Sequence, residues 1–120
     1  MKNYKLGKME KRFADLIWEH EPLSSRELTE LCEKEFDWKR TTTYTMLKRL
    51  CDRRIFQNDG GTVSALMTKN EFLAAQGEEF INNVFGGSLP KFLAAFTGRN
   101  RLSEKEINEI EKLINEHREG

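Results

Sequence analysis

The chain has 120 residues, of which 20 are lysine or arginine and 20 are aspartate or glutamate, so its formal net charge at pH 7 is zero. That balance excludes the bulk basic charge that often accompanies nucleic-acid binding. The length fits one domain or a small domain with an appendage. No apolar run approaches the roughly 20 residues of a membrane-spanning helix. Because the first residues also lack an apolar signal core, we expect a cytoplasmic protein without membrane insertion.

Residues that could support catalysis or bind a metal are scarce. Cys32 and Cys51 are too few and too far apart in sequence for a disulfide framework or a CxxC metal site. His20 and His117 are remote from each other and from both cysteines. No phosphate-binding loop, HExxH or GxSxG motif occurs. We therefore expect no enzymatic activity, no metal and no cofactor.

Two short helices are predicted at the start of the chain. The first covers residues 10–20 and ends there, because the residue before Pro22 avoids the helical region. A capping box formed by Ser24 and Glu27 opens the second helix, which fades by residue 35.

A third helix and a hairpin follow. The helix is predicted from residue 39 or 40 to residue 53, and its apolar side has the spacing i, i+3, i+4, i+7 and i+8. The hairpin has strand candidates at residues 55–58 and 62–67, with a turn signal at Asp59-Gly60 and a second permissive residue at Gly61. Three helices followed by a hairpin predict a winged helix-turn-helix domain over residues 1–68.

The remaining residues, 69–120, are predicted to form a helical dimerisation region, so the fold class is mainly α with a small β-hairpin wing. Capping boxes at residues 68–71 and 103–106 open two helices, with a shorter helix between them. An appendage this small cannot bury five phenylalanines by itself, which favours burial between subunits. The proposed dimerisation residues are Phe72, Phe80, Phe85, Phe92, Phe96, Ile107, Ile110 and Ile114.

The zero net charge results from a basic segment and acidic segments that cancel each other. Residues 38–54 contain six basic residues and one acid, Asp52, for a net charge of +5 that the flanking segments offset. On a helical wheel, the side opposite Thr43, Leu47 and Leu50 carries side chains that neutralise phosphates or reach base edges. The predicted DNA-binding residues are Lys39, Arg40, Thr41, Thr42, Thr45, Lys48, Arg49 and Arg53.

Several stretches occur in an order that matches a known family. They are Leu16-Ile17-Trp18, Trp38 followed by TTTYTMLKRL, and the C-terminal stretches at residues 85–89 and 102–107. With these the chain resembles, over nearly its full length, the penicillinase repressor (BlaI/MecI/CopY) family of bacterial transcription regulators. The resemblance implies a homodimeric repressor whose third helix enters the major groove of double-stranded operator DNA and whose C-terminal helices form the dimer.

The resemblance also implies a partner. In the best-known family members, a membrane-bound sensor metalloprotease triggers cleavage of the repressor within its dimer region. The matching bond in this chain is Ala95-Phe96, which makes these two residues the possible cleavage site. The family pattern has asparagine before that phenylalanine, whereas this chain has alanine. The copper-responsive branch has a C-terminal cysteine cluster, which this chain lacks.

Two further interpretations stay open at this point. A winged-helix protein-interaction module without DNA binding is favoured by the zero net charge and by the uncharged stretch from Gly60 to Ala65, which replaces the arginine-containing wing of better-known members. A small-ligand pocket among the phenylalanines ranks lower, because dimerisation needs the same surface.

Overall fold

The computed structural model describes residues 4–120. Within these residues, six α-helices and a three-stranded antiparallel sheet confirm the predicted fold class. The elements are α1 (Lys8–His20), β1 (Leu23–Ser24), α2 (Ser25–Phe36), α3 (Arg40–Asp52), β2 (Phe56–Asp59), β3 (Thr62–Ala65), α4 (Lys69–Val84), α5 (Leu89–Arg99) and α6 (Glu104–Glu119). No described helix combines the length and apolar character needed to cross a bilayer.

The chain forms two compact units, and the division falls inside α4. The first unit ends at Glu79, and the second runs from Phe80 to Gly120. The predicted division lies before this helix, between residues 68 and 69. The first part of α4 belongs with the winged helix because Phe72 is buried there, with its ring centroid 5.5 Å from that of Trp18.

The core of the first unit lies between its helices and the sheet. It includes Phe13 and Ile17 from α1, Leu28 from α2, Leu50 from α3 and Phe56 from β2, all fully buried. Burying a side chain of this size contributes about 1.5–3 kcal/mol each before entropy is counted. These contacts fix the orientation of α3 relative to α1 and α2, which decides which of its sides faces solvent.

Hydrogen bonds from side chains define several helix ends. Ser24 Oγ accepts from Glu27 N at 3.0 Å, which confirms the predicted capping box of α2. The first helix begins two residues before its predicted start, because the Glu10 carboxylate accepts from Gly7 N at 2.9 Å and satisfies a donor beyond the helix.

The wing differs from the prediction in its register and in an extra strand. The two-residue loop is Gly60-Gly61, with φ of 60° and 96°, so the turn lies one residue later than the Asp59-Gly60 signal. Both residues occupy the left-handed region, which suits a tight hairpin. The short strand β1 was not predicted; it pairs Leu23 with Val63 and makes β3 the central strand.

The second unit contains the end of α4 followed by α5 and α6. Gly86 and Gly87, with φ of 58° and 81°, end α4 as predicted. Ser103 Oγ accepts from Glu106 N at 3.1 Å, which confirms the capping box of α6. No residue from Phe80 to Gly120 is buried.

Candidate nucleic-acid interface

The third helix has one buried and one exposed side. Thr43 and Leu50 have no exposed surface and Leu47 is 2% exposed, so this side is committed to the core. Seven of the eight predicted DNA-binding residues are exposed together on the other side and at its start. These residues, called the α3 surface below, are Lys39, Arg40, Thr41, Thr42, Thr45, Lys48 and Arg49.

The α3 surface is basic, but one acid lies within it. Asp52 Oδ2 is 3.1 Å from Lys48 Nζ, and both side chains are well exposed. Such an exposed i,i+4 pair contributes only about 0.3–0.5 kcal/mol, so a phosphate can compete for the ammonium group. Arg49 Nη1 donates a weak hydrogen bond to Met46 Sδ at 3.7 Å, which leaves most of its fork for other acceptors.

The threonines of the α3 surface place hydroxyl and methyl groups beside the cations. Thr45 Oγ1 donates to the Thr41 carbonyl oxygen at 2.9 Å, which uses its donor and leaves its two acceptor lone pairs available. Threonine hydroxyls bind phosphates or bases, and their methyl groups contact the thymine methyl. The α3 surface therefore combines cations with hydroxyl and methyl groups.

Arg53 was predicted to lie with these residues, and the structure places it elsewhere. Its side chain is 26% exposed, and Nη2 donates to the Lys5 carbonyl oxygen at 2.8 Å. Nη1 lies 3.9 Å from Glu10 Oε2. The guanidinium is thus engaged with the N-terminal segment of its own chain, a contact 48 residues away that helical periodicity could not indicate.

One exposed residue of α3 was missed by the sequence analysis. Tyr44 is 41% exposed, whereas the neighbouring Thr43 is buried. The signal was its spacing, because Tyr44 follows Arg40 by four residues and precedes Lys48 by four, which puts all three along one helical row. Its hydroxyl and ring extend the α3 surface on one flank.

The wing, formed by β2, β3 and their turn, differs from the α3 surface in having no basic residue. Gln57, Asn58 and Asp59 are exposed, and no basic residue occurs between Phe56 and Ala65. Asn58 Oδ1 accepts from Gly61 N at 3.0 Å, which fixes the turn. The wing therefore offers polar side chains and backbone groups, without a cation of its own.

Comparison with known proteins identifies the family to which this chain belongs. The family model described as penicillinase repressor matches residues 6–116. The chain belongs to the penicillinase repressor family. This confirms the resemblance seen in its sequence motifs.

Relatives of this penicillinase repressor family member align over most of its length. The penicillinase repressor of Bacillus licheniformis is 25% identical over 107 residues, covering 86% of this chain and 84% of that protein. The methicillin resistance regulatory protein MecI of Staphylococcus aureus strain Mu50 is 25% identical over 123 residues, covering 95% and 96%. The protein of the same name from Mammaliicoccus sciuri is 24% identical over equal coverage.

In this family member, four of the predicted dimerisation residues form an aromatic cluster in the second unit. Ring centroids are 5.8 Å apart for Phe80 and Phe85, 5.5 Å for Phe85 and Phe92, and 6.0 Å for Phe92 and Phe96. Phe80 remains 48% exposed and Phe96 41% exposed. Of the isoleucines, Ile114 is 50% exposed, and Ile107 and Ile110 are half-buried.

Phe72, also predicted as a dimerisation residue, does not belong to that cluster and is covered within its own unit. It is 3% exposed in the first unit, with its ring centroid 5.5 Å from Trp18 and 5.9 Å from Tyr4. A side chain already covered by its own unit has little surface left for a second subunit. Helical spacing alone cannot distinguish these two ways of burying an apolar face.

The two residues predicted as a possible cleavage site lie in a regular helix. Ala95 and Phe96 are both exposed within α5, which runs from Leu89 to Arg99. A protease that cuts this bond has to unwind the surrounding turn, because a helical backbone keeps its carbonyls in internal hydrogen bonds. Cleavage by a sensor metalloprotease stays a prediction from the resemblance.

A cleft in this family member lies in the first unit, and its lining includes none of the four phenylalanines of the aromatic cluster. It has a volume of about 190 Å³ and is lined by residues of α1, α4 and the N-terminal segment, among them Trp18, Phe72 and Gln76. Pockets for small ligands commonly measure roughly 300–1,000 Å³. The cleft is therefore a poor match to the predicted alternative of a ligand pocket among the phenylalanines.

Proposed function

We propose that this chain is a homodimeric, sequence-specific transcriptional repressor that binds an inverted-repeat operator in double-stranded DNA through the α3 surface. The observation that carries the proposal is the grouping of four cations and three threonines on the exposed side of one helix in a winged helix-turn-helix unit. The names of its relatives, a penicillinase repressor and a methicillin resistance regulatory protein, support repression as the activity.

The mechanism follows from the groups on the α3 surface. Lys39, Arg40 and Lys48 neutralise phosphates on either side of the major groove, which supplies most of the affinity and makes it fall with salt. Arg49 and the three threonines carry the donor, acceptor and methyl groups that read base edges, and these supply the sequence preference. Occupying the operator then excludes the transcription machinery from the same DNA.

Dimerisation explains both the apolar surface of the second unit and the form of the operator. A second copy that covers Phe80, Phe96 and Ile114 would bury apolar surface that one chain leaves in water. A two-fold dimer presents two α3 surfaces, so the half-sites are expected about 10 base pairs apart, centre to centre, or a multiple of that spacing.

The test is binding of the purified full chain to the DNA upstream of its own gene, measured by fluorescence anisotropy over a range of salt concentrations. The double variant Lys48→Ala/Arg49→Ala removes two phosphate- or base-contacting cations. We expect its affinity to fall at least about tenfold, and the slope of log affinity against log salt to decrease by up to about two.

A matched control removes the same charge from the second unit. Lys112 and Arg118 are both exposed on α6, and the variant Lys112→Ala/Arg118→Ala is expected to keep the affinity and salt slope of the natural chain. Failure of the folded natural chain to bind any of the upstream DNA at low salt would contradict the proposal.

One alternative is supported by a specific observation. Because the wing has no basic residue, a protein-interaction module that no longer binds DNA would show the same wing. In that case the Lys48→Ala/Arg49→Ala variant would lose a protein partner while DNA binding is absent from both forms. The same titration therefore separates the two functions.

A further inference from the structure

Residues 4–7 form a short segment before α1, here called the N-terminal strap, that is bound to α4 at its beginning. Tyr4 N donates to Glu79 Oε2 at 3.3 Å, and Gln76 Nε2 donates to the Tyr4 carbonyl oxygen at 2.7 Å. The Tyr4 ring meets Phe72 edge to face, with centroids 5.9 Å apart. Both backbone groups of Tyr4 and its side chain are thus bound to one helix.

The strap also contacts the end of α3 through Lys5 and the start of α1 through Gly7. Arg53, the residue that caps the C-terminus of this helix, donates from Nη2 to the Lys5 carbonyl oxygen at 2.8 Å. The same guanidinium faces the Glu10 carboxylate, whose Oε1 accepts from Gly7 N at 2.9 Å. One carboxylate therefore joins the start of α1, the strap and the end of α3.

We infer that Arg53 is a positioning residue for DNA binding: through the N-terminal strap it fixes the C-terminal turn of α3 to α4. The inference rests on the proposed function, because the placement of α3 matters most where that helix enters a groove. Arg53 is charged and lies in the most basic segment of the chain, yet its Nη2 donates to the Lys5 carbonyl oxygen and its Nη1 forms an ion pair with Glu10.

The strap bears on the orientation of the basic side chains at the end of α3. Lys48 and Arg49 lie in the last turns of α3, so a shift of its C-terminal end moves both of them relative to the DNA. Binding groups have to be held within about 0.5 Å of the productive geometry by supporting contacts. The core fixes the buried side of α3, and the strap fixes its end from outside the core.

The strap also places α3 and α4 in one chain of contacts. From Gln76 the contacts run to Tyr4, to Lys5 and then to Arg53. Because α4 continues past Glu79, the helix that anchors the strap is the one that enters the second unit. A substitution of Gln76 is therefore expected to change the stability of the last turn of α3, although the Gln76 side chain makes no direct hydrogen bond with that helix.

The first experiment compares Arg53→Met with Arg49→Met in operator binding across salt concentrations. If Arg53 positions α3, its variant weakens binding about two- to tenfold at every salt concentration and leaves the salt slope unchanged. Arg49→Met is expected to lower the slope by about one if Arg49 contacts a phosphate. A slope lowered by about one in Arg53→Met would overturn the inference and make Arg53 a phosphate contact.

The second experiment leaves Arg53 intact and needs no DNA. Gln76→Ala removes the donor to the Tyr4 carbonyl, and Asn70→Ala removes an exposed amide from the same helix as a control. Hydrogen exchange of the amides in the last turn of α3 is expected to speed up about two- to tenfold in Gln76→Ala and to stay unchanged in Asn70→Ala.

The two experiments separate failure of the inference from failure of the proposed function. Unchanged exchange at α3 in Gln76→Ala overturns the strap, whatever the protein does with DNA. Faster exchange together with an absence of DNA binding by the natural chain supports the strap and contradicts the repressor. Faster exchange and about two- to tenfold weaker operator binding by Gln76→Ala support both.

Discussion

The two units differ in how far they bury their apolar side chains. All thirteen buried apolar residues of the described chain lie in the first unit, whereas no residue from Phe80 to Gly120 is buried. Both units have well-capped amphipathic helices, so the difference does not come from local helix formation. It shows that the first unit completes a core from its own elements, and that the second leaves its aromatic cluster open to a further surface.

Phe72 and Phe96 were both predicted to lie at the dimer interface, and the largest expected effect on stability separates them. Phe72→Ala empties a site in the core of the first unit, so the free energy of unfolding is expected to fall by about 3–5 kcal/mol. Urea denaturation followed by circular dichroism measures the loss. A decrease below about 1 kcal/mol would mean that Phe72 does not belong to this core.

The corresponding change in the second unit acts on association. Phe96→Ala removes a ring that is 41% exposed in the single chain. If a second copy covers that ring, the dissociation constant of the dimer rises at least about tenfold, because buried aromatic residues dominate interfaces. Sedimentation equilibrium over a range of concentrations measures it, with Leu66→Ala, a half-exposed residue of the first unit, as the control.

A glycine pair tests whether backbone conformation matters where packing does not. Gly61 and Gly77 both have no neighbouring atom within 4 Å of an added Cβ, but only Gly61 has a positive φ, of +96°. Gly61→Ala is expected to lower the free energy of unfolding by about 1–2 kcal/mol through left-handed strain. Gly77→Ala lies inside α4 and is expected to raise it by about 0.5–1 kcal/mol.

Calorimetry of both variants checks that opposite pair of signs. A stabilising Gly61→Ala would show that the wing turn tolerates a side chain despite its backbone. A destabilising Gly77→Ala would indicate that a second copy approaches the helix at that glycine, which would extend the interface into the first unit.

The smallest expected effect on stability near neutral pH comes from Cys32, a buried thiol of the first unit. Burial raises the pKa of Cys32 from its ordinary 9.0 to about 11, so the folded state favours the neutral thiol. The resulting stabilisation is complete below pH 9 and is lost as the pH rises towards 11. Measuring the free energy of unfolding of the natural chain and of Cys32→Ala between pH 8 and 11 isolates this thiol. Parallel curves of that free energy against pH would contradict its burial.

Local sequence rules were sufficient for several features whose partners lie within a few residues of each other. The capping boxes at Ser24, Thr68 and Ser103 all form, and α4 ends at its predicted glycines. The buried side of α3 also follows from spacing, because a helical period fixes which residues share a face.

Predictions that required distant partners were incomplete. The strand β1 is only two residues long and exists because Leu23 meets Val63 across the sheet, a pairing without a local signal. The turn register shifted by one residue because pairing across the hairpin, together with two glycines at positive φ, decides the loop.

The sequence by itself determined the order of the helices, the capping boxes of α2, α4 and α6, which side of α3 is apolar, and that the +5 segment coincides with that helix. Only the tertiary structure decided that Arg53 turns to Lys5 and Glu10, and that Phe72 is covered within its own unit. The physical reason is the range of the interactions. Capping and periodicity act over about four residues, whereas burial and ion pairing depend on which surfaces the fold brings together.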